Sequence, residues 1–172
     1  MPLSRAAARN LQHLRDITLR GYEREDGLVD VEAHMTDTKT YGWRNEDRGA
    51  VRAGEPMHDM WLRVTVARDM TITACEAAMD GTPHTRCPGA APNFARLAGL
   101  NIGKGFLKAA MAEVGGVQGC THLRELLQQV GTVAWQTVSS LNWKERKAPL
   151  PPGIPPALVN TCYAYKAVTT DH

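Results

Sequence analysis

The corner Gly119-Cys120-Thr121-His122-Leu123, entered through Gly115-Gly116-Val117-Gln118, sets a thiol and an imidazole two residues apart where an apolar-striped run begins. The first amide N–H groups of a helix lack internal partners, so such an end draws anions and lowers a thiol below its free pKa of roughly 8.5. Thr121 is expected as the N-cap, its hydroxyl accepting from an amide one turn in. Cys120 and His122 then stand across the cap as candidates for substrate contact and proton transfer. The plainer reading is a small buried thiol beside an ordinary first-turn histidine, because free Cys is among the most buried residue types.

Two other places carry proton chemistry. Asp37, Lys39 and Tyr41 alternate, so an extended chain points all three the same way. Lys39 would hold a carboxylate or phenolate, and Tyr41 or Asp37 would handle a proton; the competing reading is a solvated strand end with a surface ion pair. At His58-Asp59 a carboxylate could orient an imidazole as a base, yet neighbours on a strand face opposite ways. Asp59 is therefore expected to cap a turn or to orient His122 from across a shared cleft. Trp61, with Met57, Met60 and Met70, suits either the core or the wall of an aromatic-binding pocket, and Arg63 could balance an anionic substrate.

A metal would need three or four ligands converging on one point. Asp59, Cys87, Cys120 and His122 could supply them, with His58 nearby, only if the fold gathers three separate regions; no CxxC or HExxH pair assists. Without such a signature, no cofactor is expected. Gly99-x-x-x-Gly103-x-Gly105 lacks the ending of a phosphate loop, and Ser139-Ser140 lies in a helical pattern without a nucleophile elbow.

The elements that must position these groups are strands first and helices second. Residues 17–24 and 28–34 flank Glu25-Asp26-Gly27 and read as a hairpin, with Val29, Val31, Ala33 and Met35 alternating against Asp30, Glu32 and His34. A second hairpin is expected from 60–67 and 71–79 around Arg68-Asp69-Met70. Between the hairpins, 37–56 reads as a long irregular loop, the kind that often carries function. Prolines and glycines then break the chain before short helices at about 93–98 and 105–114. Leu123, Leu126, Leu127, Val130, Ala134, Val138 and Leu141 predict one long helix over roughly 121–141 with a single buried face. A stiff Pro-rich crossing follows at 148–156, leading a tail with Tyr163 and Tyr165 across the domain or onto a partner subunit.

These elements define an α+β fold over one domain, 1–172: an antiparallel sheet of about four strands from 17–80, packed against helices from 90–143, with the crossing and tail at 148–172. The formal charge of +2 is too small to demand nucleic acid or an acidic membrane. Arg5, Arg9, Arg15 and Arg20 gather early and Glu23, Glu25, Asp26, Asp30 and Glu32 follow, a pattern suited to pairing within the protein or a homodimer. Four cysteines, at 75, 87, 120 and 162, lie far apart without a secretory or membrane-length apolar run, so a reduced, cytoplasmic protein is expected.

Several spaced motifs carry a resemblance over nearly the whole chain. Gly21-Tyr22-x-Arg24-x-Asp26-Gly27, His34-x-Thr36-Asp37-Thr38-Lys39-x-Tyr41, Gly54-Glu55-Pro56-x-His58-Asp59-Met60-Trp61-Leu62-Arg63 and the Gly119-to-Leu123 corner resemble a bacterial family, domain of unknown function 2889. Members of such families tend to sit among genes for breakdown of aromatic and lignin-derived compounds, which implies a catabolic role. A fainter similarity is to iron–sulfur cluster assembly scaffolds, where Asp59, Cys87 and the Cys120/His122 pair follow the order of that fold's ligands. Met57 stands near where the scaffold pattern wants its first Cys, and Thr121 separates the Cys and His that it wants adjacent.

The expected function is that of an acid–base lyase or isomerase acting on a small phenolic or aromatic compound, with release of formaldehyde from a lignin-derived dimer as the concrete case. His58 or His122 would take a hydroxyl proton, Tyr41 or Asp37 would serve the ring oxygen, and Lys39 or Arg63 would balance charge. Asp59 would orient a base, while Trp61, Cys120 and Thr121 would line the substrate. A metal- or iron–sulfur-binding accessory protein and a non-catalytic module for an aromatic acid are the alternatives.

Overall fold

The computed structural model describes residues 3–146, 153–155 and 158–167. Four long strands, β1 (His13–Glu23), β2 (Val29–Lys39), β5 (His58–Val66) and β6 (Ile72–Gly81), form one antiparallel sheet in the order β1-β2-β5-β6. A small hairpin, β3 (Trp43–Asn45) with β4 (Gly49–Val51), makes a second sheet. A 3₁₀ segment (Cys87–Leu97), helix α1 (Phe106–Val114), a short 3₁₀ turn (Gly116–Gln118) and helix α2 (Thr121–Lys144) follow. The architecture is the expected α+β arrangement of a four-stranded antiparallel sheet and a helical C-terminal half with one long helix.

Alternation decides which sheet face the helices cover. Val29, Val31, Ala33 and Met35 of β2 and Met60, Leu62, Val64 and Val66 of β5 are fully or almost fully buried, against Leu123, Leu126, Leu127, Val130 and Ala134 of α2 and Phe94 and Leu97 of the 3₁₀ segment. All seven apolar positions of the α2 stripe are buried. Gly21 permits the close approach of β1 to α2, since a Cβ there would collide with the Thr137 hydroxyl. At the first hairpin Gly27 takes φ +83° and the Asp26 carboxylate accepts from the Leu28 amide at 3.2 Å, a turn that only glycine adopts at no steric cost.

Several expected boundaries shift. Strand β1 starts at His13, not at 17, and β2 runs to Lys39, not 34, because the two ends pair with each other, His13 opposite Lys39 and Arg15 opposite Asp37. The loop expected over 37–56 therefore loses its start to β2 and folds its middle into β3 and β4. The helix at 93–98 is the end of a longer 3₁₀ segment, with Pro88 in its first turn and Pro92 inside it. Thr121 is not the N-cap: it is the first helical residue, and Cys120, extended at φ −113° and ψ 131°, occupies the cap with no side-chain bond into the helix. Most of the Pro-rich crossing lies outside the described residues; Pro155 and Leu158 border a groove with Trp135 and Trp143 of α2, so this part of the tail lies along the long helix.

Candidate functional site

Asp37 has the parity of Val29, Val31, Ala33 and Met35, so β2 carries its carboxylate to the helix-covered side, where it is fully buried. A lone carboxylate there would be costly, and four donors meet it. Arg15 Nε and His13 Nε2 donate to Oδ1 at 2.7 and 3.0 Å; Arg15 Nη2 and His58 Nδ1 donate to Oδ2 at 2.7 and 2.8 Å. Strand pairing makes this convergence, because Asp37 is registered opposite both Arg15 on β1 and His58 on β5. Burial works to raise the Asp37 carboxyl, but the hydrogen bonds and charge of Arg15, helped by His13 and His58, outweigh it and hold the group well below the usual carboxylate range.

An ionised Asp37 can only accept, which fixes the proton of a neutral His58 on Nδ1 and leaves the lone pair on Nε2. His58 is buried, no described side chain bonds Nε2, and the ring borders a cleft of about 690 Å³. Its ring centroid lies 3.7 Å from that of His122, with the planes tilted by 36°. Burial pushes the His58 pKa down, the adjacent His122 adds to this, and Asp37 pulls upward without prevailing. Burial and then the Arg15 charge lower His122 as well. Two imidazoles this close disfavour double protonation, so the pair is built to take one proton at a time.

The corner that presents His122 is held tightly. Gly119 approaches the Val114 carbonyl so closely that a Cβ would clash, and from there the chain enters α2. Cys120 Sγ lies 3.9 Å from His122 Nδ1 and is partly buried against the core. The cleft beyond is lined by His58, Cys87, Cys120, Thr121 and His122, with Arg86 among the others.

A family described as protein of unknown function (DUF2889) matches residues 13–136. The chain belongs to this family. No curated protein and no solved structure matches it. The span matched to DUF2889 opens on His13 and closes within α2, so every member of the Asp37 cluster lies inside it.

Of the residues singled out in this DUF2889 chain, the structure gathers Asp37, His58 and His122 in contact, with Cys120, Thr121 and Cys87 around the same cleft. Asp59 is a correction: alternation sends it to the opposite, solvent-facing side, where its Oδ1 meets His34 Nε2 at 2.7 Å, so it shares no cleft with His122. Trp61 and Arg63 follow it there. Trp61 stacks on His34 at 3.7 Å, and Arg63 pairs with Glu32 at 2.8 Å and Glu76 at 3.3 Å. The trio Asp37, Lys39 and Tyr41 splits at the strand end: Lys39 Nζ turns to the Tyr41 hydroxyl at 3.3 Å, and neither borders the cleft. Sequence reasoning passed over His13 and Arg15 as parts of the site. The available signal was parity, since both alternate on β1 with Ile17 and Leu19, which pack on the core.

The ligand set Asp59, Cys87, Cys120 and His122 cannot close on one ion with Asp59 on the far face. Asp37, His58 and His122 do place ligand atoms within 4.8 Å of one another. Asp37 suits a cation poorly, however, because its four lone-pair directions are taken by donors, two of them from the Arg15 guanidinium.

Proposed function

We propose that this protein is an acid–base lyase acting on a small phenolic or aromatic compound, with His58 as general base. The observation carrying this reading is the buried Asp37 that accepts from His58 Nδ1 at 2.8 Å and leaves Nε2 unpartnered on a ring that borders the cleft. A pKa below the ordinary histidine value keeps that ring neutral near pH 7, ready to accept. A volume of about 690 Å³ falls within the ~300–1,000 Å³ of small-molecule sites.

In the concrete case the substrate is a quinone methide bearing a hydroxymethyl group. Nε2 takes the hydroxyl proton, the carbon–carbon bond breaks, and formaldehyde leaves. The bonding pair passes through the conjugated chain to the ring oxygen, which becomes a phenolate. His122, its ring tilted against that of His58, holds a second site for the proton on its way to solvent. The test is turnover of a panel of phenolic dimers with formaldehyde detection. Release of formaldehyde that vanishes with His58→Ala supports the reading, and no turnover of any phenolic substrate removes it. Saturable binding without product would favour a non-catalytic aromatic-acid module.

A metal-binding accessory protein is the second reading, favoured by the closeness of Asp37, His58 and His122. Elemental analysis of protein purified without chelator decides it: stoichiometric zinc or iron lost with His122→Ala supports it, and metal-free protein excludes it.

A further inference from the structure

The mouth of α2 is open toward the cleft. Cys120 makes no capping bond, and the Thr121, His122 and Leu123 amides find no acceptor among the described residues. In a helix of 24 residues these orphan donors and the aligned peptide dipoles favour negative charge. Gly119, Cys120, Thr121 and His122, the residues leading into that end, all line the cleft.

A second observation points independently to a ligand. The His58 side chain is 5% exposed, its ring borders the same cleft, and Nε2 has no described partner. The charge of the walls adds a third. Arg86 lines the cleft and its guanidinium has no acidic partner among the described residues, whereas His84 beside it is tied to Asp47 at 3.2 Å. Among the described lining residues none is acidic; Asp37 lies behind His58, already saturated, and Glu125 is engaged by Arg15 at 2.6 Å.

We infer that the cleft binds an aromatic oxyanion, its charged oxygen held between the open amides of α2 and Arg86 and its uncharged portion reaching His58 Nε2. This rests on the reading of the cleft as the substrate site, though not on bond cleavage there. It assigns to Arg86 and the α2 amides the charge-balancing role that Lys39 and Arg63 cannot fill from outside the cleft. Under the lyase scheme the same donors would receive the phenolate that forms.

Calorimetric titration of the whole protein with benzoate and with 4-nitrophenolate, beside uncharged benzamide and nitrobenzene, tests the inference. At least one anion should bind about tenfold or more tightly than its uncharged counterpart, the scale of one charge-assisted hydrogen bond, and the tighter of the two identifies carboxylate or phenolate as the group selected. Arg86→Gln and Cys120→Asp should each remove that preference. The new Asp would cap α2 with its own carboxylate, so the melting temperature should hold or rise as anion binding falls. If Cys120→Asp folds poorly, Cys120→Asn occupies the same amides without a charge and should weaken the anion likewise. Equal affinity for charged and uncharged probes, or anion affinity that survives either substitution, overturns the cradle. The readout is separate from chemistry: anion selectivity without turnover sinks only the lyase reading, and turnover without anion selectivity sinks only this one.

Discussion

Strands β2 and β5 carry a histidine–aspartate pair on each face of the sheet, and the two pairs live in opposite surroundings. On the helix side β2 gives Asp37 and β5 gives His58, with side chains 0% and 5% exposed; on the solvent side β2 gives His34 and β5 gives Asp59, at 29% and 28%. Distances barely separate them, 2.8 Å within and 2.7 Å without. What differs is company: the inner carboxylate is clamped by Arg15 and His13 and its histidine meets a second imidazole at a tilt beside a cleft, whereas the outer histidine is stacked on Trp61. Water screens the outer pair and competes for it, so its net worth is that of a surface ion pair, about 0–1 kcal/mol. A carboxylate–imidazole bond acquires a defined chemical job only where burial and further donors fix its charge state.

The sharpest break of this comparison is catalytic. His58→Ala should depress turnover by ~10²-fold or more, the usual contribution of a general base, while His34→Ala leaves it unchanged. Equal losses from the two would end the distinction between the faces.

Stability comes next. Asp37→Asn removes the charge that satisfies Arg15 and should cost about 2–3 kcal/mol in urea unfolding; this is less than the ~3–5 kcal/mol of a fully buried pair, because Arg15 keeps some solvent and Glu125. Asp59→Asn should stay within about 1 kcal/mol.

The inner cluster also predicts a pH dependence. His58 and His122 have folded pKa values below their unfolded value of roughly 6.5, so the unfolded chain binds more protons in that interval. Their contribution is complete above about pH 6.5 and is lost as pH falls through the folded values. Asp37 adds a contribution complete above its unfolded pKa of roughly 3.9 and lost as pH falls toward its still lower folded value. Turnover should fall on the acid side with the His58 limb below pH ~6.5. An acid limb lying clearly above that value would contradict a base held neutral by burial.

The smallest effects are expected from residues beside the cluster but outside the proposed proton path. Cys120→Ala, which removes the thiol without capping the α2 amides, should retain most turnover; loss there with His58 variants unharmed would move the chemistry to the thiol. Lys39→Met, at a site facing Tyr41 rather than the cleft, should change kcat/KM by no more than about twofold, the scale of a surface substitution.

The long helix was legible because its signal is local: seven apolar residues at three- and four-residue steps need only one partner face to bury them, and all seven are buried. Both sheet hairpins were legible for the same reason, through two-residue alternation and turn chemistry at Gly27 and Asp69. Parity within β2 even contained the burial of Asp37, since 29, 31, 33, 35 and 37 share one face. Reading the segment from 37 as loop hid it, because a strand end is set by what pairs with it, here the residues from His13 onward.

The sequence by itself determined the periods, and through them which residues each strand and helix could bury. It also placed a thiol and an imidazole at a helix entry. The tertiary structure alone decided which of these groups meet: Arg15 and His13 reach Asp37 across 22 and 24 residues, His58 across 21, and His122 arrives on the first turn of α2. Alternation already parted His58 from Asp59; the tertiary structure decided that the helices cover the face of His58 and leave that of Asp59 to solvent. The physical reason is that alternation fixes a side chain's face within one strand, while register and helix docking fix its neighbours, and those depend on the burial of the whole core.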